Sequence, residues 1–161
     1  MPWDHPHIPN QGKSDEWWTP KYIFDKIDLQ FDLDPCMPEQ KISYIPVKQS
    51  YDFVDDGLLK EWFGRVWMNP PYGRETGKWM EKLAKHGNGI ALVFSRTDVK
   101  WWHSTVSNAT AICFVRGRIT FISGAGQSAP GNSGGPSALI AYGKDNADAI
   151  RSSGLGMTLW V

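Results

Sequence analysis

Residues 65–73 constrain this chain more than any other segment, because they combine a strand pattern with an abrupt stop. Val66 and Met68 alternate with Trp67, as in a half-buried strand. The strand has to end at Asn69, since the two prolines that follow can neither donate to a ladder nor continue it. The sequence therefore predicts an amide, two rigid residues and an aromatic ring together at one strand end.

The tetrapeptide Asn69-Pro70-Pro71-Tyr72 suits chemistry on a planar exocyclic amine. The lone pair of such an amine is delocalised into its ring, and acceptors for its N–H groups restore nucleophilicity. The Asn69 side-chain oxygen and the Pro70 carbonyl are two such acceptors, and the prolines fix their directions in advance. Tyr72 offers a flat face on which an extruded base could stack. The same residues also fit an ordinary strand-ending turn, so both interpretations stay open.

Length and composition favour one globular domain. The chain has 161 residues, 41% of them hydrophobic, and nine tryptophans, which predicts a domain over residues 15–161 preceded by a flexible arm over residues 1–14. No run approaches the ~18 apolar residues of a membrane span. The first residues lack the apolar core of a signal peptide, so we expect a cytoplasmic protein. Cys36 and Cys113 lack metal-ligand spacing with another cysteine, and we expect no metal.

The net charge of zero hides an asymmetry along the chain. Residues 1–59 hold 5 Lys/Arg and 11 Asp/Glu, whereas residues 60–118, which include the tetrapeptide, hold 10 and 4. A nucleic-acid partner fits the basic part, although solvation is the default role of a basic helix face. The candidate nucleic-acid contacts are Arg74, Lys78, Lys82, Lys85 and Arg96.

A capped helix is predicted just before the acidic part of the chain. Thr19 is a good N-cap and Pro20 a good first helical residue, and the apolar residues that follow form one face over about two turns. The free N–H groups at the start of such a helix would bind a carboxylate. An ordinary capped helix explains the same pattern.

Residues 31–36 alternate apolar and acidic side chains and break at Pro35, which predicts a strand with Asp34 at its end. In α/β folds ligands bind beyond the carboxyl ends of strands, where an acid can bind an ammonium group or ribose hydroxyls. No glycine-rich turn follows, so a cofactor without phosphates is preferred. Asp32 lies on the same face by period two and is equally well a solvated residue.

The remaining pattern predicts further elements of an α/β fold. These are a short strand within 41–47, an acidic turn at 52–57, a short amphipathic helix at 58–63, a mobile basic loop at 73–77, a helix up to Gly87, a buried strand at 89–95, two strands around a hairpin turn at Arg116-Gly117, a long loop at 123–136 and a strand at 137–142. Asp55 and Asp56 are expected either in a surface turn or as acceptors for an adenine amino group of a cofactor. His103 is either a base or, as is usual beside tryptophans, structural.

Three pieces now stand in order, and as a set they resemble the phage-type DNA N-6-adenine methyltransferases, the Dam-like family. They are Trp18-Thr19-Pro20 opening a helix, Asp34-Pro35-Cys36 ending a strand, and the Asn-Pro-Pro-Tyr tetrapeptide ending another. The likeness runs from about Asp15 to Tyr142 and includes Asp56-Gly57-Leu58.

The resemblance implies a fold, a cofactor and roles for these residues. The fold would be α/β and Rossmann-like, with a mostly parallel sheet and a reversed hairpin edge. The Trp18–Pro20 and Asp34–Cys36 segments would bind S-adenosylmethionine, together with Asp56, and the tetrapeptide would hold the target amine. Two departures matter: the Phe-x-Gly-x-Gly continuation of larger relatives is missing after Asp34, and no separate target-recognition domain is present. Loops 73–78 and 123–136 are left as candidates for reading DNA.

The function expected from this resemblance is methyl transfer from S-adenosylmethionine to N6 of a flipped adenine in double-stranded DNA, in a bacterial host cell and from a phage or prophage. Two alternatives remain. One is an amino-methyltransferase that acts on RNA adenine or protein glutamine, and the other is a non-catalytic DNA-binding relative.

Overall fold

The structure is a computed structural model, and it describes residues 17–38, 44–123 and 135–161. Within these ranges the helices are α1 (Lys21–Ile27), α2 (Thr76–His86), α3 (Lys100–Val106) and α4 (Lys144–Ser152). The strands are β1 (Trp17–Trp18), β2 (Phe31–Asp34), β3 (Val47–Ser50), β4 (Val66–Met68), β5 (Gly89–Phe94), β6 (Ala111–Val115), β7 (Ile122–Ser123), β8 (Ser137–Tyr142) and β9 (Gly156–Trp160). The predicted arm at 1–14 and most of the predicted loop at 123–136 lie outside the described residues.

Seven of these strands form one mixed sheet in the order β3-β2-β4-β5-β8-β6-β9. Strand β2 is parallel to both β3 and β4, and β4 is parallel to β5. Strand β8 runs antiparallel to β5 and β6, and β9 runs antiparallel to β6. The fold is therefore mixed α/β, and the carboxyl ends of three adjacent strands, β2, β4 and β5, meet at one edge of the sheet.

Two hydrophobic cores cover the two faces of the sheet. One contains Ile23, Phe24 and Ile27 of α1 and Ile150 of α4, packed with Trp67. The other is formed by side chains of α2 and α3 with the opposite face of β4 and β5, namely Trp79, Met80, Leu83, Trp102, Val106, Val66, Met68 and Val93. The alternation within β4 accordingly sends Trp67 to one core and its neighbours to the other, and β4 is buried on both faces.

The strand at Gly89–Phe94, the strand at Ser137–Tyr142 and the helix ending at Gly87 are confirmed. The predicted hairpin around Arg116-Gly117 is wrong, although Gly117 does turn the chain with a φ of 77°. Both edges of β6 are taken by β8 and β9, so the segment after the turn leaves the sheet. Its Ile119 and Phe121 are buried in the α1 core, and β7 pairs with β1 instead.

Three other boundaries differ from the sequence prediction. Residues 58–63 form the end of a turn and irregular chain rather than a helix, and Leu59 and Phe63 are exposed instead of sharing a buried face with Trp62. Helix α2 already begins at Thr76, so the basic loop after Tyr72 is shorter than residues 73–77. Strand β3 begins at Val47, where the predicted strand at 41–47 ends, and residues 39–43 lie outside the described ranges.

Helices α3 and α4 and strand β9 were not predicted, since their apolar residues are few and interrupted by polar ones. None of the described helices is long and apolar enough to cross a membrane. Within the same described ranges, no group of three or more His, Cys, Asp or Glu side chains is placed to hold a metal ion.

Candidate active site at the carboxyl ends of three strands

The three segments singled out in the sequence meet at the edge of the sheet where β2, β4 and β5 end. Asp34 is the last residue of β2, Asn69 follows β4 directly, and Phe94 is the last residue of β5. Because these strands are parallel neighbours, residues that are distant in sequence lie side by side here.

Asn69 is the residue through which the segments are joined. Its Nδ2 donates to Thr19 Oγ1 at 3.2 Å, and its Oδ1 accepts from the Tyr72 hydroxyl at 3.1 Å. Its backbone carbonyl accepts from the Cys36 thiol at 3.4 Å. Thr19, Cys36 and Tyr72, which the sequence placed in separate motifs, are therefore all direct partners of one amide-bearing residue.

Thr19 does not cap α1 with its side chain, contrary to the sequence prediction. Helix α1 begins at Lys21, Pro20 occupies the N-cap position, and no side-chain cap hydrogen bond is formed. The Thr19 hydroxyl is turned to Asn69 instead, and both Thr19 and Pro20 are buried. Competition from a tertiary partner has overridden the local capping preference of threonine.

The Tyr72 ring is stacked on Phe94, with 4.3 Å between ring centroids and 22° between planes. One of the two flat faces of the Tyr72 ring, on which a target base was predicted to stack, is therefore covered by Phe94. The sequence did not predict this contact. Burial raises the pKa of the Tyr72 hydroxyl well above its ordinary value of 10.0, so the hydroxyl stays protonated and donates to Asn69.

The two prolines are fixed by the start of α2. Thr76 Oγ1 donates to the Pro71 carbonyl at 2.7 Å and accepts from the Gly73 backbone N–H at 3.1 Å. Pro70 is buried, and among the described residues no group donates a hydrogen bond to its carbonyl. The second acceptor expected from the sequence is thus free of a partner within the described part of the chain.

Asp34 is a buried carboxyl group without a described cationic partner. Its side chain belongs to a residue only 3% exposed, and its Oδ1 accepts from the Cys36 backbone N–H at 3.0 Å. Burial raises the pKa of Asp34 to about 7, and the hydrogen bond from Cys36 only partly opposes this. A positively charged ligand group beside Asp34 would remove much of the cost of ionising it.

Asp32, the other acid of β2, has an ordinary surface role. Its side chain accepts from Lys48 Nζ at 3.0 Å and from the Arg65 backbone N–H at 2.8 Å, and these contacts lower its pKa. The two acids that the sequence placed on one face are thus distinguished by burial and by partners.

The segment around Gly57 supports the Asp34-Pro35-Cys36 turn through a contact that the sequence did not predict. A Cβ atom built on Gly57 would overlap the Pro35 carbonyl and lie 3.2 Å from Trp79 Cη2. The Trp62 indole N–H donates to the Gly57 carbonyl at 2.8 Å. Asp56, next along the chain, is exposed and has a positive φ of 54°.

We expect Gly57→Ala to destabilise the protein by about 1–3 kcal/mol, because the Pro35 backbone is the obstacle and cannot rotate away as a side chain would. The measurement is the free energy of unfolding in urea. Gly135→Ala is the matched control, since its Cβ would lie 3.5 Å from Phe94 Cδ1, an ordinary contact. Equal unfolding free energies for the two variants would show that Gly57 does not pack tightly on the turn.

Trp18 lies beside this site but is held by different contacts. It pairs with Ile122 in the β1–β7 ladder and packs against the α1 core. Its indole N–H is buried without a hydrogen-bond partner among the described residues. A hydrogen-bond acceptor on a ligand would satisfy that donor, so Trp18 stays a candidate cofactor-binding residue.

The cations of the basic segment are not equivalent. Arg74, Lys78, Lys85 and Arg96 are exposed, and two of them form surface ion pairs, Lys78 with Glu75 at 3.2 Å and Arg96 with Asp98 at 3.6 Å.

Lys82 differs from these four cations in its contacts. Its ammonium donates to the Leu58 and Lys60 carbonyls and lies 5.1 Å from the centroid of the Trp62 ring. Partial burial lowers the pKa of Lys82. The structure thus gives Lys82 a role in holding the 58–62 turn on α2.

His103 lies on α3, and its Nε2–H donates to the Thr97 carbonyl at 2.8 Å. No described contact connects it with Asn69. These contacts favour a structural role for His103 over a role as a base.

A comparison with protein families shows the family of the chain. The model of the family described as DNA N-6-adenine-methyltransferase (Dam) matches residues 7–152. The chain belongs to the Dam family. No curated protein and no solved structure matches it in the corresponding searches.

The Dam match includes every segment of the site described above. Thr19, Asp34 and Asn69 lie inside it, as do the exposed cations and the supporting Gly57 and Phe94. The family thereby supports DNA adenine methylation as the general activity of the chain.

Proposed function

We propose that this Dam-family chain transfers a methyl group from S-adenosylmethionine to N6 of an adenine flipped out of double-stranded DNA. The observation that supports this most directly is the Asn69 amide, held from both ends by Thr19 and Tyr72 at a sheet edge where three parallel strands end. A strand-ending turn has no need of these two side-chain contacts.

The chemistry that Asn69 can perform follows from the unused lone pair on its side-chain oxygen. A carbonyl oxygen has two lone pairs, and the Tyr72 hydroxyl uses one of them at Oδ1. The second can accept from a target N–H, and the Pro70 carbonyl offers another acceptor. As the target nitrogen loses conjugation and becomes positive, both hydrogen bonds strengthen, so they stabilise the transition state more than the ground state. No strong base is needed before transfer, since the proton leaves after the nitrogen has become cationic.

The residues of the site fit a cofactor that carries an ammonium group. S-adenosylmethionine, when bound, supplies an electrophilic methyl group. Asp34 is buried and lacks a cationic partner among the described residues, which fits the ammonium group of an amino-acid moiety. Cys36 contacts both Asp34 and Asn69, and Thr19 contacts Asn69. Together with Pro20 and Pro35 they are proposed to line the cofactor site, and Trp18 adds an indole donor without a partner among the described residues. Asp56 is proposed as an acceptor at the exposed rim.

We further propose that the sheet is the Rossmann-like sheet of a methyltransferase and that residues 15–161 form one such domain. The observed order supports this in part, because the sheet edge that carries Asp34 and Asn69 is formed by parallel strands, and ligands of α/β folds bind at such an edge. The reversed strand β8 lies inside the sheet rather than only at its edge. DNA would then be read by the loop after Tyr72 and by residues 123–136.

Arg74, Lys78, Lys85 and Arg96 are proposed to contact phosphate. Neutralising one that does so should reduce the slope of log affinity against log salt by about one unit, with the sequence preference unchanged. Lys82 should change this slope least, because its ammonium is engaged by backbone carbonyls. The measurement is DNA binding at several salt concentrations.

The control for this salt titration is Lys144→Ala, which removes an exposed cation. Lys144 lies on α4, which covers the face of the sheet opposite to α2. If none of the neutralised residues changes the slope more than this control does, the basic helix face is only solvated.

The proposed substrate is tested by incubating the chain with methyl-labelled S-adenosylmethionine and, separately, with duplex DNA, RNA and protein. Label in DNA supports the proposal. Label found only in RNA or protein would assign the same amine chemistry to another substrate. Binding of DNA by the chain without transfer of label to any of the three polymers would identify a non-catalytic relative.

A further inference from the structure

The Thr19 side chain has a role that the cofactor-binding interpretation of its segment does not require. Thr19 is 2% exposed, and its Oγ1 is 3.2 Å from Asn69 Nδ2. Its backbone is fixed independently, because the Tyr44 hydroxyl donates to the Thr19 carbonyl at 2.7 Å. A rigid segment therefore presents a buried hydroxyl to the side chain on which the proposed chemistry depends.

An asparagine amide has two nearly isosteric ends with opposite hydrogen-bonding character. Rotation by half a turn would present the NH2 group in place of the oxygen, and a donor there would repel the N–H groups of a target amine. The orientation of Asn69 thus decides whether the site can work, and something outside the residue has to fix it.

The two neighbours of Asn69 are suited to opposite ends of its amide. A phenolic oxygen shares its lone pair with the ring, so the Tyr72 hydroxyl is a better donor and a weaker acceptor than an aliphatic hydroxyl. It donates to Oδ1, as observed at 3.1 Å. The aliphatic hydroxyl of Thr19 is the better acceptor and takes the Nδ2 hydrogen. The pair therefore favours one amide orientation over the other.

We propose that Thr19 is a positioning residue, whose hydroxyl accepts from Asn69 Nδ2 and so keeps Asn69 Oδ1 directed at the target amine. The inference rests on the proposed function and adds to it a coupling between the Trp18-Thr19-Pro20 segment and the tetrapeptide. Thr19 acts through Asn69 and need not touch the target.

The test is Thr19→Val, which keeps the branched shape and removes the acceptor, compared with Thr19→Ser, which keeps the hydroxyl. Single-turnover methyl transfer to duplex DNA, at saturating DNA and S-adenosylmethionine, should fall about 10- to 100-fold in Thr19→Val, the size expected for a misplaced catalytic group. Thr19→Ser should recover most of that loss. The dissociation constant of the cofactor, measured by calorimetry, should stay within about threefold, since orientation and not binding is lost.

Thr105→Val is the matched control for the loss of a buried hydroxyl. Thr105 is 1% exposed, and its Oγ1 donates to the Trp101 carbonyl at 2.7 Å on α3, away from Asn69. Its transfer rate should remain close to that of the unmodified chain. In an Asn69→Ala background, Thr19→Val should cause no further loss, because the two residues act as one unit.

A second readout does not depend on activity. The Asn69 side-chain NH2 resonance, assigned by its loss in Asn69→Ala, should shift and exchange with solvent faster in Thr19→Val but not in Thr19→Ser. An unchanged resonance would overturn the inference, as would an unchanged rate or a loss confined to cofactor affinity. Absence of methyl transfer to DNA by the unmodified chain would instead overturn the proposed function, and the resonance would still report on the Thr19 contact.

Discussion

Asn69→Ala is expected to fold, to bind S-adenosylmethionine, and to methylate DNA at least about 100- to 1000-fold more slowly than the unmodified chain. The reason is that the hydrogen bond from the target amine to Asn69 Oδ1 strengthens only as the nitrogen becomes positive. Its loss should therefore appear in the rate of transfer rather than in binding. The contacts of Asn69 with Thr19 and Tyr72 leave this oxygen with a free lone pair.

Single-turnover transfer on a saturated complex of enzyme, DNA and cofactor separates a chemical defect from a binding defect. Asn69→Asp is the informative companion, because a carboxylate still accepts but can no longer donate to Thr19; we expect part of the activity to remain. Thermal unfolding checks that each variant is folded. A folded Asn69→Ala protein with a near-normal transfer rate would show that the tetrapeptide is only a strand-ending turn.

Replacing Asp34 is expected to give the second large effect, a loss of S-adenosylmethionine affinity of about 1–3 kcal/mol in Asp34→Asn or Asp34→Ala, as for a lost charge-assisted hydrogen bond. Calorimetry measures it directly. Asp32→Asn is the matched control on the same strand, since Asp32 is held by Lys48 and the Arg65 backbone instead. Unchanged affinity in both Asp34 variants would remove Asp34 from the cofactor site.

The contribution of Asp34 to the stability of the folded protein should change with pH in a definite direction. The pKa of Asp34 rises from an ordinary 3.8 to about 7 in the folded protein. Between these values the folded chain holds a proton that the unfolded chain has released, so this group's contribution to stability is present below pH 3.8 and is lost as pH rises through about 7. Asp34→Asn, which cannot ionise, should therefore be more stable relative to the unmodified chain at pH 8 than at pH 5, by up to a few kcal/mol.

Cofactor binding should follow the same titration. An ammonium group beside Asp34 favours the carboxylate, so binding below about pH 7 should release a proton from Asp34. Calorimetry in buffers of different ionisation enthalpy counts that proton, and Asp34→Asn corrects for the proton of the cofactor itself. If the unmodified chain and Asp34→Asn release equal numbers of protons, Asp34 is not paired with the ligand.

The parts of the site that sequence reasoning reached are those in which local chemistry fixes the structure. Two prolines must end a strand, and they place Asn69 at its carboxyl end whatever the rest of the chain does. The acidic alternation broken by Pro35 places Asp34 likewise at the end of β2. Adjacency of these two strand ends then follows from parallel pairing, which is a general property of α/β sheets.

The parts that it missed depend on contacts between distant residues. Stacking of Phe94 on Tyr72 requires β5 to lie next to β4, and the close approach of Gly57 to Pro35 requires the 52–63 turns to fold back on β2. Thr19 has a strong capping preference, yet its hydroxyl is used by Asn69, 50 positions away. The sequence carries no periodic signal for such pairings, and only the tertiary fold decides them.

The most direct test of the central claim is to locate the methyl group in the product. Duplex DNA is incubated with the purified chain and S-adenosylmethionine, digested to nucleosides and analysed by mass spectrometry, with Asn69→Ala treated in parallel. We predict N6-methyladenine in the DNA treated with the unmodified chain and at least about 100-fold less with Asn69→Ala. A methyl group found only on another base or another polymer, or equal N6-methyladenine with both proteins, would contradict the assignment of this site.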